Sequence, residues 1–379
     1  MRLLVSGGGT GGHVYPILAV LRHIDREEKR SVDVCYVGDA SGIEARLAAK
    51  AGLPFQGVST ASFHGASLWS LPGRAIRLSR GTAQCLRVID QFRPQAVLAT
   101  GGYVSGPAIL AAWVRRVPSL VYLPDLTPGL AIRFLGRLAT RVAVSFERSI
   151  SSIPGKRGIV TGYPVRPELF ETNKTTSRRN LQLDEDTKTL LVLGGSQGAH
   201  SINLGMSAIL EDLLPLCQIV HIAGERDVSW LLSRKEGLPE PLSPRYRVYP
   251  YLHEEMIYAL GAADLAVARA GAATIGEFPA VGLPSVLVPY PHAGAHQYAN
   301  AEYMVHNQAA VQIEDAYLEG DVLRETIISL LGDEERLSQL SEAARRLARP
   351  EASAHIASLL DEISTQKART PAREDEATV

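Results

Sequence analysis

Short apolar segments recur along the chain, each bounded by glycine, proline or polar residues and followed by a stretch with helical spacing. Such segments are typical of buried parallel strands, and their alternation with helices is typical of βαβ units. Helical spacing is clear at 14–26 and 42–51. The strands predicted in the first half are Leu3–Ser6, Val32–Val37, Ala96–Thr100, Ser119–Leu123, Val142–Ser145 and Gly158–Thr161. The first half is therefore predicted to be a doubly wound parallel sheet.

The same pattern restarts after the polar segment Glu171–Asn180, which lacks apolar periodicity and is predicted to be the end of a linker. Five strands are predicted beyond it: Thr189–Leu193, Gln218–Ala223, Arg245–Tyr249, Asp264–Ala268 and Pro284–Pro289. A chain of 379 residues also exceeds what one core usually organises. We expect an α/β protein with two Rossmann-like domains, residues 1–163 and 164–367, facing a cleft. The polar residues 368–379 are predicted to be a disordered tail.

The charge balance excludes one class of partner. Lys and Arg number 39 and Asp and Glu 40, so no overall positive field favours nucleic acid. The cysteines Cys35, Cys85 and Cys217 lie far apart without metal-ligand spacing, and we expect small core residues in a reducing compartment. The N-terminus lacks the pattern of a signal peptide or membrane-spanning helix. A cytoplasmic location is therefore expected.

Glycine clusters follow three of the predicted strands, and each opens onto a helix. We call Gly7–His13 the first glycine turn, Gly194–Ala199 the second glycine turn and Gly101–Pro107 the third glycine cluster. Glycine allows left-handed backbone and close approach to a ligand, while the following helix offers unpaired amides to a phosphate. Tight βα turns also need glycine for steric reasons. Two turns at equivalent places in two domains nevertheless favour a phosphate-bearing ligand.

The first glycine turn also permits a different function. Gly7, Gly9 and Gly12 match the dinucleotide-binding pattern G-x-G-x-x-G, and Asp39 ends the second strand, where a ribose-binding carboxylate belongs. A nicotinamide dehydrogenase is therefore an alternative, although such an enzyme has no need of a second glycine turn. An ATP-type loop is excluded, because no Gly-Lys-Ser or Gly-Lys-Thr follows these turns.

The segment Arg269–Glu277 follows a predicted strand and enters a helix. Its carboxylate Glu277 is suited to accept hydrogen bonds from both hydroxyls of a ribose. Thr274 and Glu277 also have the spacing of a capping box, which is a purely structural alternative. Both roles are compatible.

The loop Pro289–Asn300 is polar and follows a strand, so Gln297 and Asn300 are candidates for hydrogen bonds to a sugar. A metal site at His292 and His296 is disfavoured by Pro291 and Gly294, which discourage a helix. The acidic run 184–186 precedes a strand, on the side of a parallel sheet that ligands do not use, and is interpreted as solvated charge. We therefore expect no metal and no cofactor.

Taken together, these segments resemble the MurG family of bacterial N-acetylglucosaminyltransferases, which act in peptidoglycan synthesis. The resemblance covers nearly all of the chain and is most specific in five ordered motifs. These are Gly7–Pro16 (GGGTGGHVYP), Gly101–Pro107 (GGYVSGP), Gly194–Ala199 (GGSQGA), Arg269–Glu277 and His296–Ala301 (HQYANA).

The resemblance implies a GT-B fold that binds a lipid-linked muramyl-peptide acceptor on the N-terminal domain and UDP-N-acetylglucosamine mainly on the C-terminal domain. It also implies His13 as the base of an inverting transfer, although a histidine that only caps or packs at a helix start is the alternative. Donor contacts are implied at Thr10, Gly11, Gly12, Arg166, Ser196, His253, Ala272, Ala273, Thr274, Ile275, Gly276, Glu277 and Gln297. The turn geometry agrees, because amides near Ser196 and Gln197 are suited to hold the diphosphate. His253 is expected to contact uracil through its backbone.

The chain departs from the family pattern at two places. Where the family has His-Glu-Gln-Asn this chain has Tyr122–Asp125, and where the family has Asn-Pro-Val-Arg it has Tyr163–Arg166. Asp125 thus places a carboxylate at a donor-contacting position. Recognition of the acceptor or of the transferred sugar is expected to differ.

A lipid-linked acceptor implies peripheral attachment to the inner face of the cell membrane. Leu68–Leu71 beside a basic helix face is a candidate for that contact, with a solvated arginine face as the alternative. The basic residues are Arg74, Arg77, Arg80 and Arg87. The remaining functional alternatives are a GT-B transferase with another acceptor and a UDP-sugar epimerase.

Overall fold

The structure is a computed structural model. It describes residues 1–26, 28–61, 70–153, 155, 157–195, 197–291, 296–319 and 321–369, without the side chains of residues 130 and 366–369. The chain forms two compact units. Unit 1 contains residues 1–124, 128–162 and the described residues from Glu351 onward, and unit 2 contains residues 125–127 and 163–350.

The strands and helices alternate along most of the chain. The strands are β1 (Arg2–Ser6), β2 (Asp33–Gly38), β3 (Phe55–Gly57), β4 (Ala96–Ala99), β5 (Ser119–Leu123), β6 (Arg141–Val144), β7 (Gly158–Val160), β8 (Thr189–Leu193), β9 (Gln218–Ile222), β10 (Tyr246–Tyr249), β11 (Leu265–Ala268), β12 (Ser285–Leu287) and β13 (Ala310–Gln312). The helices are α1 (Gly11–Arg26), α2 (Ile43–Lys50), α3 (Leu71–Phe92), α4 (Ser105–Val114), α5 (Leu130–Leu138), α6 (Glu147–Ile150), α7 (Lys174–Asn180), α8 (His200–Ala208), α9 (Leu210–Leu213), α10 (Val228–Glu236), α11 (Met256–Ala262), α12 (Thr274–Val281), α13 (His296–His306), α14 (Asp321–Gly332), α15 (Glu334–Leu347) and α16 (Ala352–Arg369).

Unit 1 is built on a parallel sheet with the strand order β3-β2-β1-β4-β5-β6-β7 among the described residues. The central strand β1 pairs with β2 and β4, so Val5 lies opposite both Tyr36 and Leu98. These side chains are almost completely buried, as expected for parallel strands covered by helices on both faces. The order reverses direction beside β1, which places the first glycine turn at the carboxyl edge where ligands bind in such sheets.

Unit 2 repeats the architecture with the order β10-β9-β8-β11-β12-β13. Its central strand β8 pairs with β9 and β11, and the second glycine turn follows it. All predicted strands are present in the two units, with their ends shifted by at most two residues. The three-residue edge strands β3 and β13 were not predicted.

The helix α16 changes the predicted division of the chain. Its buried side chains Ile356, Leu360 and Ile363 face unit 1, where α16 packs against α1, β4 and β5. Arg30 adds an ion pair to Asp361 at 2.8 Å. The C-terminal part of predicted domain 164–367 therefore lies with unit 1. The helix also includes residues 368 and 369, which were expected in the disordered tail, and residues 370–379 lie outside the described chain.

The linker prediction at Glu171–Asn180 is wrong over most of its length, because residues 174–180 form helix α7. Asn173 caps this helix by accepting a hydrogen bond from the amide of Thr176. The helix packs on α11, and the buried Arg178 pairs with Asp264 at 2.6 Å. Polar residues dominate the helix because ion pairs rather than an apolar stripe hold it.

Candidate functional site

The imidazole of His13 is held from one side by the end of β4. Its Nδ1 lies 2.8 Å from the carbonyl oxygen of Thr100, and the Thr100 hydroxyl donates a hydrogen bond to the His13 carbonyl oxygen. A carbonyl oxygen only accepts, so Nδ1 carries the hydrogen. In the neutral ring Nε2 is then left with the lone pair, the form required of a general base.

The third glycine cluster allows the backbone after β4 to approach the first glycine turn. Gly101 and Gly102 have φ values of +101° and +76°, in the left-handed region that favours glycine. A Cβ atom on Gly102 would lie 2.3 Å from the carbonyl oxygen of Gly8, and one on Gly101 would lie 3.1 Å from the His13 ring. This cluster therefore packs against the turn that carries His13.

Two carboxylates behind the first glycine turn argue against a dinucleotide there. Asp39 accepts hydrogen bonds from Ser41 and from the Thr60 hydroxyl at 2.8 Å. Partial burial opposes its ionisation, but these hydrogen bonds outweigh it and lower the Asp39 pKa. Glu44, which the sequence analysis did not single out, is completely buried and accepts a hydrogen bond from the Gly9 amide. Both groups thus serve the local structure.

The second glycine turn has the features of an anion site. Gly195 and Gly198 have φ values of +82° and +76°, and a Cβ atom on Gly198 would lie 2.3 Å from the Ala223 carbonyl oxygen. Helix α8 begins directly after the turn, and its N-cap residue Ala199 provides no side-chain cap. Uncapped amides at a helix start bind phosphate groups well. Gln197 is exposed on this turn, whereas the predicted contact Ser196 lies outside the described residues.

Three of the predicted donor-binding residues come together beside helix α12. Arg166 donates a hydrogen bond to the carbonyl oxygen of His253 at 3.2 Å, and its guanidinium lies 3.9 Å from the Glu277 carboxylate. The Glu277 side chain is 15% exposed. Burial raises the pKa of Glu277, and the charge of Arg166 partly offsets that rise.

The capping-box interpretation of Thr274 and Glu277 is wrong. Helix α12 begins at Thr274 itself, its N-cap is Ala273, and no side-chain cap is present. The Thr274 hydroxyl instead donates to the carbonyl oxygen of Arg269 at 2.9 Å. The carboxylate of Glu277 is therefore not used as a cap, and the segment Ala272–Glu277 presents an uncapped helix start. Gly276 within it packs against the ring of Tyr163, at a distance that leaves no space for a Cβ atom.

Asn300 is fully buried and forms three hydrogen bonds within unit 2. Its Oδ1 accepts from the Leu126 amide, and its Nδ2 donates to Asp125 at 2.9 Å and to the Ala270 carbonyl oxygen at 3.0 Å. The structure thus gives Asn300 the role of holding Asp125, while its contact with a sugar stays a prediction. Gln297 accepts a hydrogen bond from the Tyr290 amide at 2.9 Å.

Arg269 has a connecting role that sequence reasoning missed. It is 8% exposed and donates to the carbonyl oxygen of Val288, to Asp315 and to the hydroxyl of Ser201 on α8. Its guanidinium also lies 5.2 Å from the centre of the Tyr290 ring. Arg269 therefore joins the helix after the second glycine turn to the loop before Gln297. The only sequence signal was its place at a strand end.

The possible metal ligands of the chain were compared by their positions. Within the described chain, no group of three or more His, Cys, Asp or Glu side chains is placed to hold a metal ion. His296 contacts Thr127 through its Nδ1, and His292 lies outside the described residues. The acidic run 184–186 forms an ion pair between Glu185 and Arg179 and a turn at Asp184. The three cysteines are buried and free.

Comparison with known proteins defines the class. Residues 3–144 match the glycosyltransferase family 28 N-terminal domain, and residues 189–357 match the glycosyltransferase family 28 C-terminal domain. Together with two Rossmann-like units and an uncapped glycine turn, these matches define a hexosyltransferase with the GT-B fold.

The more particular assignment comes from individual relatives. A UDP-N-acetylglucosamine–N-acetylmuramyl-(pentapeptide) pyrophosphoryl-undecaprenol N-acetylglucosamine transferase of Roseiflexus sp. (strain RS-1) is 41% identical, covering 95% of this chain and 94% of that protein. The crystal structure of MurG from Acinetobacter baumannii superimposes with a TM-score of 0.72 at 26% identity, over 95% of this chain and 99% of that chain. The chain belongs to the MurG family.

The fold alone does not separate transferases from epimerases. A UDP-GlcNAc 2-epimerase from Neisseria meningitidis superimposes with a TM-score of 0.68, over 96% of this chain and 100% of that chain. Its sequence identity is 15%, so the likeness concerns the fold only.

Proposed function

We propose that this protein transfers N-acetylglucosamine from UDP-N-acetylglucosamine to the 4-hydroxyl of the N-acetylmuramyl residue of a lipid-linked muramyl-pentapeptide. The product is the disaccharide-lipid precursor of peptidoglycan. The 41% identity over 95% of the chain to a transferase named for this reaction carries the proposal. The geometry of His13 supports it independently of that name.

The proton transfer is assigned to His13. As the acceptor hydroxyl oxygen forms its bond to the anomeric carbon, its proton passes to Nε2, which the hydrogen bond from Nδ1 to Thr100 leaves as the basic nitrogen. The carbonyl group of Thr100 is neutral, so it orients the His13 ring without placing a negative charge beside it. The imidazolium formed in the step keeps the same hydrogen bond.

The leaving group is assigned to unit 2. The bond between the anomeric carbon and the diphosphate oxygen breaks with inversion, and its electron pair stays on the departing UDP. The starts of α8 and α12, which have no side-chain caps, offer amide groups and positive dipole ends that stabilise such a developing charge. Glu277 accepts hydrogen bonds from the ribose hydroxyls, and the backbone near His253 contacts uracil. We also assign a contact with the transferred sugar to Asp125, whose carboxylate accepts a hydrogen bond from Asn300.

Product analysis with the lipid-linked muramyl-pentapeptide and labelled UDP-N-acetylglucosamine tests the function. We expect label in the lipid product and one UDP released per transfer. Conversion of the UDP-sugar without acceptor would instead identify an epimerase, and preferential binding of NADH would identify a dehydrogenase. Transfer of label only to a different acceptor would keep the assignment as a glycosyltransferase and refute the lipid-linked muramyl-pentapeptide as its acceptor.

The role of His13 is tested with His13→Ala, and His23→Ala on the same helix serves as the matched control. Loss of a general base lowers kcat by roughly 100- to 10,000-fold. The control variant should retain wild-type turnover. Equal turnover of His13→Ala and wild type would remove His13 from the mechanism.

We also propose that unit 1 attaches peripherally to the inner membrane face. No helix in the described ranges is both long and apolar enough to span a bilayer. Helix α3 packs on α4, and α4 packs on α5. Large apolar side chains are exposed on these three helices, which are the proposed contact surface: Ile76 (62%), Trp113 (57%), Val114 (50%) and Phe134 (52%). Basic residues accompany them at Arg74, Arg77, Arg80, Arg116, Arg133 and Arg137. Of the predicted contact, residues 68 and 69 lie outside the described chain.

Vesicle flotation tests the attachment. Exposed apolar side chains beside basic residues favour anionic bilayers, so we expect flotation with anionic vesicles that weakens as salt is raised. The double variant Ile76→Ser/Phe134→Ser should remain unbound, whereas Leu216→Ser, at a 50% exposed leucine of unit 2, should bind as wild type. Equal flotation of both variants would contradict this surface.

A further inference from the structure

The carboxylate of Glu44 lies directly behind the first glycine turn. Glu44 stands in the first turn of α2 and is completely buried. Backbone amides supply its hydrogen bonds: Gly9 donates to Oε2 at 3.2 Å and Asp39 donates to Oε1 at 3.1 Å. A carboxylate only accepts hydrogen bonds, so each Glu44 oxygen binds a backbone amide in the way that a bound anion would. The Gly9 amide lies in the turn that follows β1, and the Asp39 amide directly follows β2.

Glycines surround this carboxylate on three sides. A Cβ atom on Gly8 would lie 2.3 Å from the Glu44 carboxyl carbon, and one on Gly42 would lie 2.5 Å from it. A Cβ atom on Gly38 would lie 2.8 Å from Glu44 Cγ. Contacts this short do not occur, so each of these glycines is needed to leave space for the side chain. Of these three glycines only Gly8 belongs to the first glycine turn, and the need for glycine at that position therefore has a cause other than a bound phosphate.

The same carboxylate belongs to a wider support of the turn. Tyr36, fully buried on β2, donates its hydroxyl hydrogen to the Gly7 carbonyl oxygen. Burial raises the pKa of Tyr36, and the charge of Glu44 raises it further, which keeps the hydroxyl a donor. Gly9 itself has a φ of +80°. The turn is thus held at Gly7 by a phenol and at Gly9 by a carboxylate.

We propose that Glu44 is an internal substitute for a bound anion: its carboxylate fills the place between the ends of β1 and β2 that a dinucleotide would use, and fixes the turn that presents His13. Dinucleotide-binding units bind the ribose and the pyrophosphate at this carboxyl edge of the parallel sheet. The assignment of Glu44 as a positioning residue for catalysis rests on the proposed function of His13. The assignment of the carboxylate as a filled anion position does not.

Two variants of the full-length protein separate the possibilities. Glu44→Ala removes the carboxylate and opens a space lined by two amide donors, so formate should bind there and raise the midpoint of thermal unfolding. Glu44→Gln fills the space, but its amide nitrogen faces an amide donor, so formate should have no effect. Wild type and Glu147→Ala, which lacks an exposed glutamate in the first turn of α6, should not respond to formate.

Turnover gives the second measurement. A displacement of about 1 Å of a catalytic group can lower turnover roughly 100-fold, and we expect a fall of that order in both Glu44 variants with the affinity for UDP unchanged. Formate, but not the neutral formamide, should restore turnover in Glu44→Ala. It should restore none in Glu44→Gln or in His13→Ala.

The outcomes are distinct. Formate that neither stabilises Glu44→Ala nor restores its turnover, in a protein that still binds UDP, would overturn the proposal. If Glu44→Ala does not fold, wild-type turnover of Glu44→Gln would overturn the positioning role and reduced turnover would support it. A wild type without transferase activity, together with stabilisation of Glu44→Ala by formate, would refute the proposed function while keeping Glu44 as the substitute anion.

Discussion

Replacing Glu277 by glutamine tests the donor site most directly. The carboxylate is 15% exposed and lies 3.9 Å from the Arg166 guanidinium, at the start of a helix without a side-chain cap. A hydrogen bond to a charged group contributes about 1.5 to 3 kcal/mol. Glutamine keeps one acceptor and loses the other, so affinity for UDP-N-acetylglucosamine should fall roughly 10- to 150-fold. Glu302→Gln, exposed on α13, is the matched control.

Titration calorimetry with UDP-N-acetylglucosamine and its 2′-deoxyribose analogue shows whether the lost contact is the ribose. The wild type should bind the deoxy analogue more weakly than the natural donor, by a factor close to that of the mutation. Glu277→Gln should distinguish the two donors far less. A change below twofold in the variant, or an undiminished preference for the hydroxyl, would refute the contact between Glu277 and ribose.

The pH dependence of binding provides a further check on Glu277. Burial raises its pKa, so the carboxylate gains its proton at a higher pH than an exposed glutamate does. Donor affinity of the wild type should therefore fall as the pH falls through that raised pKa, and Glu277→Gln should lack this dependence. This experiment should use UDP-N-acetylglucosamine, because the terminal phosphate of free UDP itself titrates, with a second pKa of about 6.

The remaining predictions concern stability. Because the Glu277 pKa is raised by folding, stability is lost as the pH rises from the ordinary glutamate pKa through the raised one, so Glu277→Gln should melt at a higher temperature than wild type above the raised pKa and equally below the ordinary pKa. Gly276→Ala would place a Cβ atom 2.1 Å from the Tyr163 ring and should cost about 1 to 3 kcal/mol in urea unfolding; combining it with Tyr163→Ala should recover most of that loss, and no recovery would contradict the clash. Burial lowers the pKa of His221 to about 3, so the unfolded chain takes up its proton first and stability falls below pH 6.5, by about 2 kcal/mol at pH 5. His221→Gln should lose that part of the slope, and an unchanged slope would contradict it.

The alternation of strands and helices was readable from the sequence because each strand buried on both faces is a continuous apolar run. The runs at Thr189–Leu193 and Ser119–Leu123 were predicted with the bounds that the structure shows. The exceptions are elements whose stability comes from distant partners. Helix α7 depends on Arg178 and Asp264, which are far apart in sequence, and α16 joins unit 1 through contacts with the N-terminal half.

The candidate site divides in the same way. Residue type and order sufficed to single out Glu277 and the two glycine turns as candidates, because phosphate and ribose recognition need particular groups at strand ends, while His13 was implied by the family resemblance. The tertiary structure alone decided which hydrogen bonds those groups make. It gave His13 a backbone carbonyl as its partner, assigned Asn300 to Asp125, and placed the unremarked Glu44 behind the first glycine turn. Such partners depend on how separate strands and helices pack, and no local sequence pattern carries that information.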